Sequence, residues 1–188
     1  QSILIMACRF GLRRREIQHI QREDLDFGHD TLNVTTNQYY RVKTPAGNRR
    51  LPVSLLLNEN EISILEALKL IAVKIEPSAS ARLFPIPQKL FFKLVDRVTE
   101  SLQLVTSNDR FRLYDCRHSF ISHMVLAALA PEKGRLNSIS SAWLRCSVPS
   151  FRQLWLERTA GQFSQNNKLL HTIALVAGHT TAKTTITH

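Results

Sequence analysis

One short interruption in an otherwise helical pattern constrains this chain most. Thr31-Leu32-Asn33-Val34-Thr35-Thr36 alternates in polarity and is rich in β-branched residues, so it reads as a strand. Gln38 to Lys43, with Tyr39-Tyr40 and Val42, reads as a second strand. Thr44-Pro45-Ala46-Gly47-Asn48 is a turn by composition. Arg49-Arg50-Leu51-Pro52-Val53 starts a third strand, with Pro52 at an edge or strand end. The expectation is an antiparallel meander with Lys43 beside its tightest turn.

Helical spacing governs the rest. Ser2 to Cys8 is apolar, Gly11 interrupts it, and a second helix is predicted from about Arg14 to Gln21, burying Ile17 and Ile20. Asp24-Leu25-Asp26-Phe27-Gly28 ends that helical region. From Asn58, the positions Glu61, Ile62, Ile64, Leu65, Leu68 and Ile71 mark a helix that stops before Glu76-Pro77-Ser78. Pro85 and Pro87 bracket a loop, and Gln88 to Leu102 is amphipathic. Phe120, Ile121, Met124, Val125 and Leu126 continue a helix begun near Leu113. Pro131 to about Ser150 reads as a loop with one short helix, and Phe151 to Arg158 as a helix with Trp155 in the core. Asn167 to Ala177, capped by Ser164 and ended by Gly178, is a further helix, and Ala182 to His188 could start another. The class expected is α+β: mostly α-helical with a small three-stranded antiparallel sheet near the N-terminus.

Length and charge narrow the function. The 188 residues, 44% of them hydrophobic, suffice for one compact domain. Lys and Arg total 25 against 15 Asp and Glu, a net charge of +10, with clusters at Arg13-Arg14-Arg15 and Arg49-Arg50. A folded domain this basic points to a polyanionic partner, most often nucleic acid; the plain alternative is charge that only keeps the protein in solution. Cys8, Cys116 and Cys146 are odd in number and lack paired spacing, which favours a reducing compartment over a disulfide framework or a zinc site. No apolar run reaches membrane-spanning length and no signal peptide is visible, so a cytoplasmic placement is expected. The opening at Gln1, inside an apolar segment, reads as part of a longer protein.

Four short segments carry candidate chemistry. Arg117-His118 stands where a helix begins, and a guanidinium there is well placed to meet a phosphate. Gly11-Leu12-Arg13 with Glu16 precedes the second helix, its glycine allowing the bend that turns an arginine into a cleft. Lys43 sits on the expected hairpin, and Gly178-His179 lies near the C-terminus. Each has a plain reading: a solvated arginine face, an Arg13–Glu16 pair, a surface lysine, a packing histidine.

In this order, with a hairpin between the first two arginines, the segments resemble the catalytic domain of the tyrosine recombinases, the phage-integrase family. The resemblance implies that residues 1–188 form a single catalytic domain, with a DNA-clamping domain before Gln1 and the tyrosine segment after His188. Carried over residue by residue, Arg13, Arg117 and His179 would hold the scissile phosphate and Lys43 would protonate the departing 5′ oxygen. Two departures stand out. Tyr114 occupies the place usually held by histidine; a phenol with a pKa near ~10 is a poorer general base than imidazole but can hydrogen-bond a phosphate or the nucleophile. The nucleophilic tyrosine is expected just after His188. The resemblance further implies integration or excision of a mobile element, strand transfer on double-stranded DNA without cofactor or metal, a homotetramer on DNA when full length, and accessory DNA-bending proteins. Two other functions are compatible with it: a type IB topoisomerase, and a DNA-binding accessory protein of the same fold without catalysis.

Overall fold

The computed structural model describes residues 1–43, 47–129, 143, 148–159, 173, 174 and 177. It is mostly helical with a three-stranded antiparallel sheet, as the sequence pattern predicts. Helix α1 (Ser2–Arg9) buries Ile3, Ile5, Met6 and Ala7 and ends before Gly11, whose φ of +60° turns the chain into α2 (Arg14–His19). Only glycine fits at that turn, because a Cβ at residue 11 would lie 2.4 Å from Cδ1 of Phe120.

The sheet has the order β1 (Leu25–Asp26), β2 (Thr31–Val34), β3 (Arg49–Pro52). Leu25 faces Leu32 and Leu32 faces Leu51, so three fully buried leucines form one row across it. Two of its strands are those expected; the third is not. Residues 38–43 are no strand, because the Asn37 side chain captures the backbone instead: Oδ1 accepts from the N–H groups of Tyr39 (2.9 Å) and Tyr40 (3.0 Å). The strand that completes the sheet comes from Asp24–Gly28, where the chain reverses through Asp30 at φ +55°.

Beyond the sheet, α3 (Val53–Leu56) takes over where the third strand was expected to continue. In α4 (Glu59–Ile75) Asn58 and Glu61 cap each other, Asn58 Oδ1 accepting from the Glu61 N–H at 2.8 Å and Glu61 Oε2 from the Asn58 N–H at 3.0 Å. Buried Arg22 receives the chain leaving that helix, donating to the carbonyls of Glu76, Pro77 and Ser78. Helix α5 (Gln88–Thr106) runs a turn past the predicted end and stops at Ser107, φ +51°. Helix α6 (Leu113–Leu129) starts where the Asp115 carboxylate accepts the Arg112 N–H at 2.7 Å. Helix α7 (Val148–Thr159) begins inside the stretch expected as loop, and Trp155 stacks in the core against Phe151 as expected. Central to the packing is α1, which lies against α4 and α6. Of the helix predicted over 167–177, Ile173, Ala174 and Ala177 are described and buried; its cap Ser164, its stop Gly178 and the segment 182–188 lie outside the described residues. Among the described residues no helix is long and apolar enough to cross a membrane.

Candidate functional site

Glu16 is the centre of the site. As the third residue of α2 it reaches back to the start of its own helix, Oε2 accepting the Arg13 N–H at 2.8 Å while Oε1 pairs with Arg13 Nη1 at 2.9 Å. Arg49 approaches from β3 and grips both oxygens, Nη1 to Oε1 at 3.1 Å and Nη2 to Oε2 at 2.7 Å. Burial by itself would raise the Glu16 pKa; the Arg49 guanidinium outweighs it and holds the carboxyl down at about 2. The pairing follows from strand alternation. Arg49 and Leu51 point to the same buried face of β3, and Arg50 between them is exposed.

Arg117, in the second turn of α6, is fully buried. Nη1 donates to the Gly11 carbonyl and Nη2 to the Ala177 carbonyl, tying the α1–α2 turn to the C-terminal part of the chain. Its Nε has no partner among the described residues. Burial, reinforced by the nearby charges of Arg49 and Arg13, draws its pKa down to about 10, so it stays a cation at neutral pH. Two guanidiniums thus bind one carboxylate and a third lies within its electrostatic reach, so the site carries a surplus of positive charge.

The expected site residues are brought together only in part. Arg13 and Arg117 meet in the field of Glu16, and half-exposed Tyr114, three residues before Arg117 on α6, stands edge-on to His118, ring centroids 4.7 Å apart. A cleft of about 320 Å³ opens beside it, lined by apolar Leu12, Val95 and Leu113 and by polar Arg14, Asp96, Thr99, Arg112 and Tyr114. Lys43 is exposed on a bend rather than on a hairpin strand, and no described hydrogen bond or ion pair joins it to the arginines. Its neighbours Thr44 to Ala46, and both Gly178 and His179, lie outside the described residues.

Two participants were absent from the expected set. Arg49 was visible as part of a basic cluster, and its alternation with Leu51 was the signal that it points inward. Tyr40 stacks on His19 with centroids 6.1 Å apart, and burial, with the Glu16 carboxylate adding to it, pushes its phenol up from the ordinary value. That contact depends on the Asn37 turn, which strand periodicity hides. Comparison with protein-family models, with curated proteins and with solved structures returned no match to this chain.

Proposed function

We propose that this chain is the catalytic domain of a DNA strand-exchange enzyme that cleaves and rejoins DNA through a 3′-phosphotyrosine, as a recombinase of a mobile element does. What carries the proposal is the gathering of Arg13, Arg49 and Arg117, from three distant segments, around a single carboxylate beside half-exposed Tyr114 and an open cleft. A phosphodiester under attack by an alcohol develops charge on its non-bridging oxygens, and forked guanidiniums match that charge. Of these three arginines Arg13 is the one open to a backbone phosphate, with about a third of its side chain (35%) exposed, whereas Arg49 and Arg117 are buried. In the proposed reaction the tyrosine oxygen bonds to phosphorus, the 5′ oxygen leaves, and Lys43 supplies its proton. Arg117 and His179 complete the clamp, and Tyr114 hydrogen-bonds the phosphate or the nucleophile. The phosphotyrosine bond conserves the energy of the broken one, so rejoining needs no nucleotide. The domain assignment 1–188, tetramer formation on DNA and accessory DNA-bending proteins are part of the same proposal.

One observation favours a second reading, a DNA-binding accessory protein without catalysis. Both terminal nitrogens of Arg117 already serve backbone carbonyls, and the side chain is buried. A suicide-substrate assay with the full-length gene product and DNA from its own element separates the two. The recombinase reading expects a covalent protein–DNA band that Arg13→Ala weakens by on the order of a hundredfold. Salt-sensitive duplex binding with no covalent band, on a correct site, would favour the accessory reading.

A further inference from the structure

The cleft beside Tyr114 combines an apolar lining with charged groups that the described residues leave unpaired. Leu12, Val95 and Leu113, all buried, supply the apolar part. Arg14 and Arg112 are exposed, and among the described residues neither guanidinium pairs with a carboxylate. Arg14 lies over the Phe92 ring, 4.6 Å from its centroid, which orients the guanidinium without neutralising it. Asp96, on α5, likewise has no ion pair among the described residues. Thr99 Oγ1 donates to the Val95 carbonyl at 2.9 Å and keeps its lone pairs for an incoming donor. Leu113 and Tyr114 open α6, and the positive end of that helix favours an anion. The Asp115 carboxylate in the same turn is already engaged, its Oδ2 accepting the Arg112 N–H.

We propose that this cleft binds a single nucleotide, with the base against Leu12, Val95 and Leu113 and the phosphate on Arg14 and Arg112. Its volume of about 320 Å³ is at the small end of ligand sites, which suits one planar ring system. Two cations against one carboxylate leave a net positive charge for the phosphate. Asp96 and Thr99 offer acceptors to the amino and imino hydrogens of the base. An aliphatic anion would leave those acceptors unserved, and a sugar phosphate would leave the apolar lining uncovered. A free nucleoside monophosphate and an unpaired nucleotide of a DNA strand present the same chemistry. Position favours the strand: Arg14 directly follows Arg13, the arginine open to a backbone phosphate, so a nucleotide in the cleft is next to a strand held there. That choice of source rests on the function proposed above; the chemistry of the cleft does not. A base has to leave the duplex stack to reach the cleft, which is least costly where it is already unpaired.

The test compares two fluorescein-labelled DNAs by anisotropy at one salt concentration: a fully paired duplex, and the same duplex carrying one unpaired adenine. The unpaired adenine should tighten binding roughly tenfold, the effect of seating one base. Arg112→Ala should remove most of that preference and change affinity for the paired duplex far less. Asp96→Ala separates recognition from bare charge. With one acid gone, a purely electrostatic contact would tighten for both DNAs and keep their ratio; a base-binding cleft loses its preference. Equal affinity for the two DNAs, or a preference that survives both substitutions, overturns the strand as the occupant. A titration with deoxyadenosine monophosphate, followed by amide NMR shifts at Thr99 and Leu113, distinguishes this from failure of the DNA reading. Shifts there without binding of either duplex would uphold the cleft as a site for free nucleotide and remove the DNA function. Duplex binding with no preference and no such shifts would overturn the inference and leave the DNA function standing.

Discussion

Glu16 and Arg49 meet in the protein interior as a two-pronged ion pair, each side chain only 1% exposed, with oxygen–nitrogen distances of 2.7 and 3.1 Å. The pair joins α2 to β3 and so fixes the sheet against the turn that carries Arg13. Breaking a buried pair from one side strands the other charge. Glu16→Gln is therefore expected to destabilise the fold by about 3–5 kcal/mol. Replacing both residues together, Glu16→Leu with Arg49→Met, should cost less than the sum of the single changes. Urea unfolding midpoints of the four proteins form the cycle; a strictly additive double variant would mean the two residues stabilise independently.

Two carboxylates give stability an unusual dependence on acid. Glu16 is held at about 2 against an ordinary value of 4.5, so its contribution is present above pH 4.5 and is lost as pH falls toward 2, on the order of 3 kcal/mol in all. Asp24, mostly buried and with Oδ2 accepting the Gln21 N–H at 2.8 Å, has the opposite sign: burial pushes its carboxyl from 3.8 up to about 6. Its neutral form suits the fold, so stability falls as pH rises from about 4 to 6 and then levels off. Asp24→Asn keeps a carbonyl for Gln21 and should remove that decline, stabilising the protein at pH 7 by about 1–3 kcal/mol. Denaturation curves at several pH values read both effects, and an Asp24→Asn profile parallel to the parent's would refute the second.

Gly11→Ala should be among the costliest small changes. It places a Cβ at positive φ and 2.4 Å from the Phe120 ring, so backbone strain and overpacking add. A loss of about 2–5 kcal/mol is expected, visible as a large fall in melting temperature. A shift of a degree or less would mean the turn can flip to another conformation.

Arg13 and Arg117 should separate stability from DNA affinity. Arg117→Lys leaves one ammonium to serve the two carbonyls of Gly11 and Ala177, a loss of about 2–3 kcal/mol. Arg13→Ala removes a partly exposed pair and should change stability by ~1 kcal/mol or less. It should weaken duplex binding and lower the slope of log affinity against log salt by about 1, as loss of one phosphate contact does. Fluorescence anisotropy across a salt series measures this; an unchanged slope would remove Arg13 from the DNA contact.

How the site divides between chain pattern and folding is clear from particular residues. Thr31–Val34 announces its strand by alternation, α4 by the helical spacing of Ile62, Leu65 and Leu68, and Glu16 by standing three residues after Arg13. These are contacts over a few residues, where backbone geometry alone brings the groups together, and they are legible without a fold. The two-residue strand Leu25–Asp26 is shorter than any periodicity can mark, and it exists only because β2 offers it a ladder. Gln38–Lys43 has strand-like residues, but the side chain of Asn37 offers those amides a nearer acceptor.

The sequence by itself determined the helical character, the presence and place of a small sheet, the surplus of positive charge, and the local Arg13–Glu16 turn. Tertiary structure alone decided that Arg49 turns inward onto Glu16, and that Arg117 is buried against Gly11 and Ala177 instead of lying open. The physical reason is burial. A charged or polar group withdrawn from water must find its partner wherever packing delivers one, and packing joins segments that no spacing along the chain relates.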